Sequence, residues 1–314
     1  MDRLESMRIF AAVADARSFA QAARRLGLSA PAVSRAVVAL EEHVAAQLLR
    51  RTTRSVTLTE AGTRFHADCK RILAEVAAAE ADVGGAHALP QGELSVTAPR
   101  MFGRMHITPL LVDFLTKHPT ITARAFFADH IVHLLDEGYD VALRIAHLPD
   151  SGLTAVRVGH VRRVVVASPG YLGARGVPRA PRDLEGHTAI GYALSGSATA
   201  PWEFHQPGRQ GRGTRQLVTP QARFMTNSNE TAIAAAMAGH GLARALSYQV
   251  ASDVVAGRLR IVLASHELPP IPVQLVHAGG RRPPAKVRAF VEFAAAGLRR
   301  EQVLNGKFAW PPDA

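Results

Sequence analysis

Three arginines fall within five residues at Arg50, Arg51 and Arg54, interleaved with the hydroxyl side chains of Thr52, Thr53 and Ser55. Guanidinium and hydroxyl groups on two short extended stretches around a polar turn, over 49–58, suit contacts to phosphate oxygens. Upstream, Ser29, Ala30, Pro31, Ala32, Ser34 and Arg35 form a second group, small and polar side chains with one arginine able to reach base edges in a groove. The chemistry implied is recognition of double-stranded DNA. A solvated basic hairpin is the plainer reading of the arginines alone; the neighbouring group decides against it.

The elements that must hold these groups are written in the apolar spacing. Phe19, Ala22, Ala23 and Leu26 repeat at i, i+3, i+4, i+7, which predicts an amphipathic helix. Ser18 is its N-cap and Gln21 completes a capping box; Gln21 is also counted among the DNA contacts. Gly27 ends this helix and Ser29 caps the next, whose buried stripe is Val33, Val37, Leu40 and Val44, leaving Pro31, Ser34 and Arg35 outward. Leu4, Met7, Phe10 and Ala14 predict a third helix behind the pair. The unit is a helix-turn-helix over 1–58 with the arginine hairpin as its wing.

A long helix follows over 59–89, with Thr59 as N-cap, Glu60 in its first turn and no proline before Pro90. Gly62, Phe65, Cys69, Ile72, Val76, Ala79 and Val83 alternate spacings of three and four, a heptad seam that wants a partner helix. The expected partner is the same helix of a second copy, so Phe65, Cys69, Ile72, Val76, Ala79 and Val83 are read as dimerisation residues. Cys69, the single cysteine, is read as a small packing residue rather than a redox switch. Gly84-Gly85 and then Pro90-Gln91-Gly92 mark the boundary.

Beyond it, extended and helical runs alternate, which implies an α/β arrangement. Strands are expected over 93–97, 121–127, 140–145, 162–167, 188–192 and 273–276. Helices are expected over 107–118, 131–137, near Tyr171, and over 229–238 and 284–298. Ligands on such sheets sit beyond strand ends, at helix N-termini. Thr97, Ala98, Pro99, Arg100 and Met101 occupy one such place, and Asn227, Ser228 and Asn229 another. Arg144 and Phe126 complete the candidate effector contacts, with a surface ion pair as the competing reading of Arg100 and Arg144. Arg100 and Arg144 favour an anionic effector.

Catalytic readings fare poorly. His130, His133 and Asp136 fall at i, i+3 and i+6, which puts Asp136 well off the face of His130 and leaves no third ligand, so no metal site is expected. Gly196, Gly208, Gly211 and Gly213 lack phosphate-loop spacing, and no nucleophile elbow or cysteine with an evident base appears. No cofactor is expected.

The 314 residues, 47% of them hydrophobic, are enough for two or three domains. No run approaches the ~18 apolar residues of a membrane span, and Met1-Asp2-Arg3-Leu4-Glu5 begins a helix rather than a signal peptide, so a cytoplasmic protein without membrane contact is expected. The net charge of +11 is unevenly placed. Residues 1–58 hold nine Lys or Arg against five acids and 59–90 three against five, so about +9 lies outside the DNA-binding unit.

Four ordered pieces, Phe19-Ala20-Gln21-Ala22-Ala23-Arg24-Arg25-Leu26, Ser29-Ala30-Pro31-Ala32-Val33-Ser34-Arg35, Leu40-Glu41-Glu42 and Leu58-Thr59-Glu60-Ala61-Gly62, resemble the amino-terminal signature of the LysR-type transcriptional regulators. The resemblance covers nearly the whole chain. It departs at Leu49, where that family often has Phe, and at Val44-Ala45-Ala46-Gln47, which replaces a Gly-containing turn. It implies a winged helix-turn-helix and a linker helix, then a two-lobed, periplasmic-binding-protein-like α/β domain over 90–302. Lobe I would take 90–163 and 268–302, lobe II 164–267, and 303–314 a C-terminal tail. It implies a bacterial regulator, nucleoid-associated when bound, that meets a partly palindromic operator as a homodimer or homotetramer. A small effector would bind between the lobes, and RNA polymerase is a further partner the resemblance allows. A solute-binding transport protein would share the two-lobed half but not the first ninety residues, and an architectural DNA-binding protein would not need that half.

Overall fold

The computed structural model describes residues 2–51, 56–83, 89–130, 134, 137–149, 151–193, 201–206, 214–278 and 283–311, with backbone alone at 51, 71, 74–75 and 77–83. Helices α1 (Arg3–Ala16), α2 (Phe19–Leu26) and α3 (Ala30–His43) enclose a core of Ile9, Phe10, Val13, Ala22, Val33, Val37 and Leu40. Of the predicted α1 stripe, Phe10 and Ala14 are buried and Met7 packs at the core edge; Ile9 and Val13 widen it because α2, α3 and a fourth helix all pack on α1. Ser18 Oγ accepts from the Gln21 N–H at 3.3 Å. Among the described residues the return half of the capping box is not made: the Gln21 side chain is exposed, where water replaces that bond at little cost. Gly27, at φ +67°, ends α2 in the left-handed conformation.

After α3 the chain turns through Val44-Ala45-Ala46-Gln47, where Ala45 has φ +50°. An alanine there costs about 1–2 kcal/mol that glycine would not. Glu41 fixes the exit, its Oε1 accepting from the N–H groups of Leu48 (2.8 Å) and Leu49 (2.9 Å). Strands β1 (Leu49–Arg51) and β2 (Val56–Leu58) pair antiparallel, Arg50 opposite Thr57, with Leu49 buried and Arg50 exposed.

Helix α4 (Glu60–Val83) starts where Thr59 Oγ1 accepts from the Gly62 N–H (2.9 Å) and donates to the Gln47 carbonyl (2.7 Å). Its first turns pack on α1. Phe65 meets Phe10 with ring centroids 5.7 Å apart, Cys69 is fully enclosed in the same core, and His66 Nε2 and Lys70 Nζ lie 3.0 and 3.1 Å from the Asp15 carboxylate. Burial would raise the Asp15 carboxyl, but the bonds from His66 and Lys70 outweigh it and hold it below the usual range. Cys69 is therefore corrected: it is enclosed by this chain's own core and has no surface left for a second copy, whereas Phe65 packs on α1 and stays half-buried. Gly62 is likewise pressed on the Leu48 carbonyl. Ile72 and Val76 are half-buried, and the side chains of Ala79 and Val83 lie outside the described residues.

The remainder holds two five-stranded sheets. The first has the order β4-β3-β5-β14-β6, from β3 (Gly92–Ala98), β4 (Ile121–Phe127), β5 (Val141–Ile145), β6 (Thr154–Val161) and β14 (Ile271–His277). β3 lies parallel to β4 and β5, and β14 antiparallel to β5 and β6. The second has the order β11-β8-β12-β7-β13, from β7 (Arg163–Ala167), β8 (Thr188–Tyr192), β11 (Gln221–Thr226), β12 (Leu242–Leu246) and β13 (Arg260–Val262). In sequence between β8 and β11, β9 (Trp202–Gln206) and β10 (Thr214–Val218) pair antiparallel. The chain crosses between sheets at Arg162 and again over 263–270. There Arg162 makes a bidentate ion pair with Glu267 (2.7 and 2.8 Å) and exchanges hydrogen bonds with Ser247 (2.8 and 3.0 Å).

The helical run expected from 107 begins seven residues earlier, as α5 (Arg100–Phe102), a π-helical turn (Gly103–Ile107) and α6 (Thr108–Lys117). Pro99 occupies the N-cap, and at Gly103 a Cβ would come within 2.3 Å of the Phe127 ring. Further α-helices among the described residues are α7 (Pro169–Arg175), α8 (Asn229–Met237), α9 (Ser247–Val255) and α10 (Ala285–Leu298). Most of the helix expected over 131–137 lies outside the described residues. After α10 the chain returns along β6: Leu304 is buried, its carbonyl accepts from the His160 N–H (2.8 Å), and Trp310 lies 5.0 Å from the Arg162 guanidinium.

Candidate DNA interface and interlobe cleft

At the start of α3, Ser29 Oγ accepts from the Ala32 N–H (3.3 Å), Pro31 stands in the first turn, and no acidic residue opposes an anion there. Ser29, Ala30, Pro31 and Arg35 are exposed, and Ala32 and Ser34 half-buried. Gln21 and Arg50 are exposed too, so the predicted contacts with described side chains are all accessible at least in part. Arg51 is placed by its backbone pairing to Val56, while Thr53 and Arg54 lie outside the described residues. Arg24 and Arg25, exposed in the last turn of α2, add two guanidiniums to those singled out from sequence.

In the two-lobed half, Thr97 and Ala98 end β3 and are buried, Pro99 caps α5, Met101 is buried and Arg100 exposed. Phe126 lies beside Thr97 on edge strand β4, half exposed. Arg144, opposite Gln274 near the end of β5, is half-buried, and burial pulls its pKa down against the opposing charge of Glu137. In the second lobe Ser228 caps α8, accepting from the Thr231 N–H (3.2 Å); Asn227 is exposed and Asn229 half-buried.

Several groups not singled out from sequence join the lobes. Asp129 Oδ1 accepts from the Arg100 N–H at 2.9 Å, so a carboxylate of the chain already serves the helix start that an external anion was expected to use. Tyr192, at the end of β8, faces this pair from the other lobe: burial and the Asp129 charge push its phenol up, and Arg100 opposes them. Arg104 and Glu230 pair across the lobes at 2.7 Å, both well exposed, a bond worth about 0.2–1 kcal/mol. Tyr248 of α9 packs edge-on against Phe102 (5.1 Å) and His106 (5.6 Å). Asp129 and Tyr192 follow strand ends, where the strand-end rule would have found them. The Arg104–Glu230 pair spans 126 residues and carries no local signal.

Among the described residues no three His, Cys, Asp or Glu side chains gather as metal ligands, and no helix is long and apolar enough to cross a membrane.

Comparison with known proteins fits these parts. Residues 4–63 match the family described as "Bacterial regulatory helix-turn-helix protein, lysR family", and residues 87–299 the "LysR substrate binding domain". An HTH-type transcriptional regulator of Xanthomonas campestris is 35% identical over 291 residues, 92% of this chain and 84% of that protein. CrgA of Neisseria meningitidis, an HTH-type transcriptional regulator, is 31% identical over 295 residues, 94% of this chain and 96% of that one. The solved structure of CrgA covers 94% of this chain and 98% of its own with a TM-score of 0.58. ArgP of Mycobacterium tuberculosis shares the fold at 18% identity, covering 94% and 97% with a TM-score of 0.64. The helix-turn-helix, wing and two-lobed α/β domain stand in the order these matches require, and the chain belongs to the LysR family of bacterial transcriptional regulators.

Proposed function

We propose that α3 enters the major groove, with Ser29, Ala30, Pro31, Ala32, Ser34 and Arg35 at base edges or flanking phosphates. Gln21, Arg50, Arg51, Thr53 and Arg54 hold the backbone. The open N-terminal face of α3 supports this reading most directly. Two copies join through α4 beyond Cys69, by Ile72, Val76, Ala79 and Val83, on a partly palindromic operator. Pairs of dimers form the tetramer, RNA polymerase is the downstream partner, and the setting is the bacterial cytoplasm.

The test is fluorescence anisotropy on DNA from upstream of the chain's own gene against a scrambled duplex, at fixed salt. Specific DNA is expected to bind ~10³-fold tighter. Arg35→Ala should cost ~1–3 kcal/mol on specific DNA only, and Arg54→Ala should weaken both duplexes and flatten the salt dependence. Equal losses on both duplexes for both variants would refute this division of labour.

The effector is a small molecule with an anionic group set against Arg144 and Arg100. A guanidinium whose charge is disfavoured by burial gains from an anion placed on it. Because Asp129 holds the Arg100 N–H, the effector's anion is directed to guanidinium groups rather than to the helix start. Thermal-shift titration with candidate carboxylates should show stabilisation of ~2.7 kcal/mol at about 100 Kd. That shift should be lost in Arg144→Ala; its retention in both Arg144→Ala and Arg100→Ala would exclude the site.

A further inference from the structure

The second lobe carries a cavity of about 690 Å³ at the end of its sheet remote from the crossings. It opens where β7 ends at Ala167 and β8 begins at Thr188, whereas both crossings lie at the start of β7 and beyond β13. The floor is Ser168, Tyr171, Thr188 and the Met237-Ala238-Gly239 turn, and the rim carries Arg175, Arg223, His240 and Arg258. Among the described residues no acidic side chain lines it.

The floor is built. Tyr171 Oη accepts from the Thr188 N–H (2.9 Å), lies 3.3 Å from His187 Nδ1, and has its backbone N–H bonded to Ser168 Oγ (3.4 Å). Arg258 is held by Asp253 behind the rim. Arg175 and Arg223, both exposed, have no hydrogen-bond or ion-pair partner among the described residues. Their guanidinium donors are therefore open to an anion that enters the mouth. The region belongs to the part of the chain that carries the larger share of its positive charge.

We infer that this cup is a second ligand site, separate from the interlobe cleft, for a small phosphate-bearing molecule. Its phosphoryl oxygens take the forked donors of Arg175 and Arg223, and its remainder rests on the Tyr171 and Met237 floor. Guanidinium forks match phosphate geometry, and the volume suits a molecule of cofactor or metabolite size. The inference does not depend on the identity of the cleft effector.

Calorimetric titration of the full-length protein with inorganic pyrophosphate, at constant ionic strength in chloride, tests it. The expected result is one site per chain whose affinity falls at least tenfold in the Arg175→Ala/Arg223→Ala double variant and stays unchanged in Arg50→Ala/Arg54→Ala and in Arg144→Ala. Both cup side chains are exposed and unpartnered, so circular dichroism should show the double variant folded. Absence of binding, equal binding by the double variant, or loss of binding in the wing or cleft variants would each overturn the assignment.

Discussion

Gly62→Ala is expected to unseat the wing and abolish specific DNA binding. A Cβ at Gly62 would stand 1.9 Å from the Leu48 carbonyl oxygen and 2.8 Å from its carbon. Both atoms are backbone, so no rotamer change relieves the clash; α4 or the start of β1 must move. That carbonyl accepts from the Thr59 N–H (3.0 Å), and the two neighbouring amides at Leu48 and Leu49 are bonded to Glu41. A shift therefore breaks the cap of α4 and the anchor of the wing together. The cost is about 3 kcal/mol or more, a fall of roughly 10 °C or more in the melting of the N-terminal unit. The two-lobed half has its own core clusters and should melt as before. Calorimetry separates the two transitions, and an N-terminal transition within about 2 °C of the parent's would refute the account.

The second large effect is expected from Glu267→Ala at the crossings. The Arg162 and Glu267 side chains are 25% and 13% exposed, so removing the carboxylate strands a largely desolvated guanidinium. Breaking a buried pair costs ~3–5 kcal/mol, and the partial exposure of Arg162 lowers the expectation to about 2–4 kcal/mol. Glu267→Gln, which keeps one acceptor, should lose about half as much. Because Arg162 and Ser247 exchange two hydrogen bonds across the lobes, their amides should also exchange hydrogen faster in the alanine variant. Unchanged melting together with unchanged exchange would show that the crossings are held by something else.

The helix-turn-helix was legible in sequence because its signals are local. Ser18, Gly27 and Ser29 stand next to the helices they end or begin, and the Val33, Val37, Leu40 stripe has one core to face. Cys69 misled because spacing reports that a helix face is covered, not by what; α1 and a second copy leave the same trace in α4. The thiol of Cys69, pushed up to about 12 by burial, is an inert core group, as its composition suggested. The β9–β10 pair went unread although Trp202 and Phe204 alternate, since Glu203, His205 and Gln206 leave β9 only two apolar residues, whereas the equally short β7 carries an unbroken Val164-Val165-Val166 run. Arg100 and Arg144 were visible in sequence as charges. What stands against Arg100 was not: Asp129 is 29 residues away and Tyr192 lies in the other lobe.

Strand β14 sits between β5 and β6, in the interior of the first sheet, yet is the last strand among the described residues. On the ribosome the DNA-binding unit, contiguous over 3–83, and then the second sheet, contiguous over 163–262, have all their strands and helices available early. The first sheet must wait with a gap between β5 and β6 until residue 277 has emerged. A chain cut short before that point would carry an intact DNA-binding head on an effector half that cannot close, a product able to occupy an operator without answering to any signal.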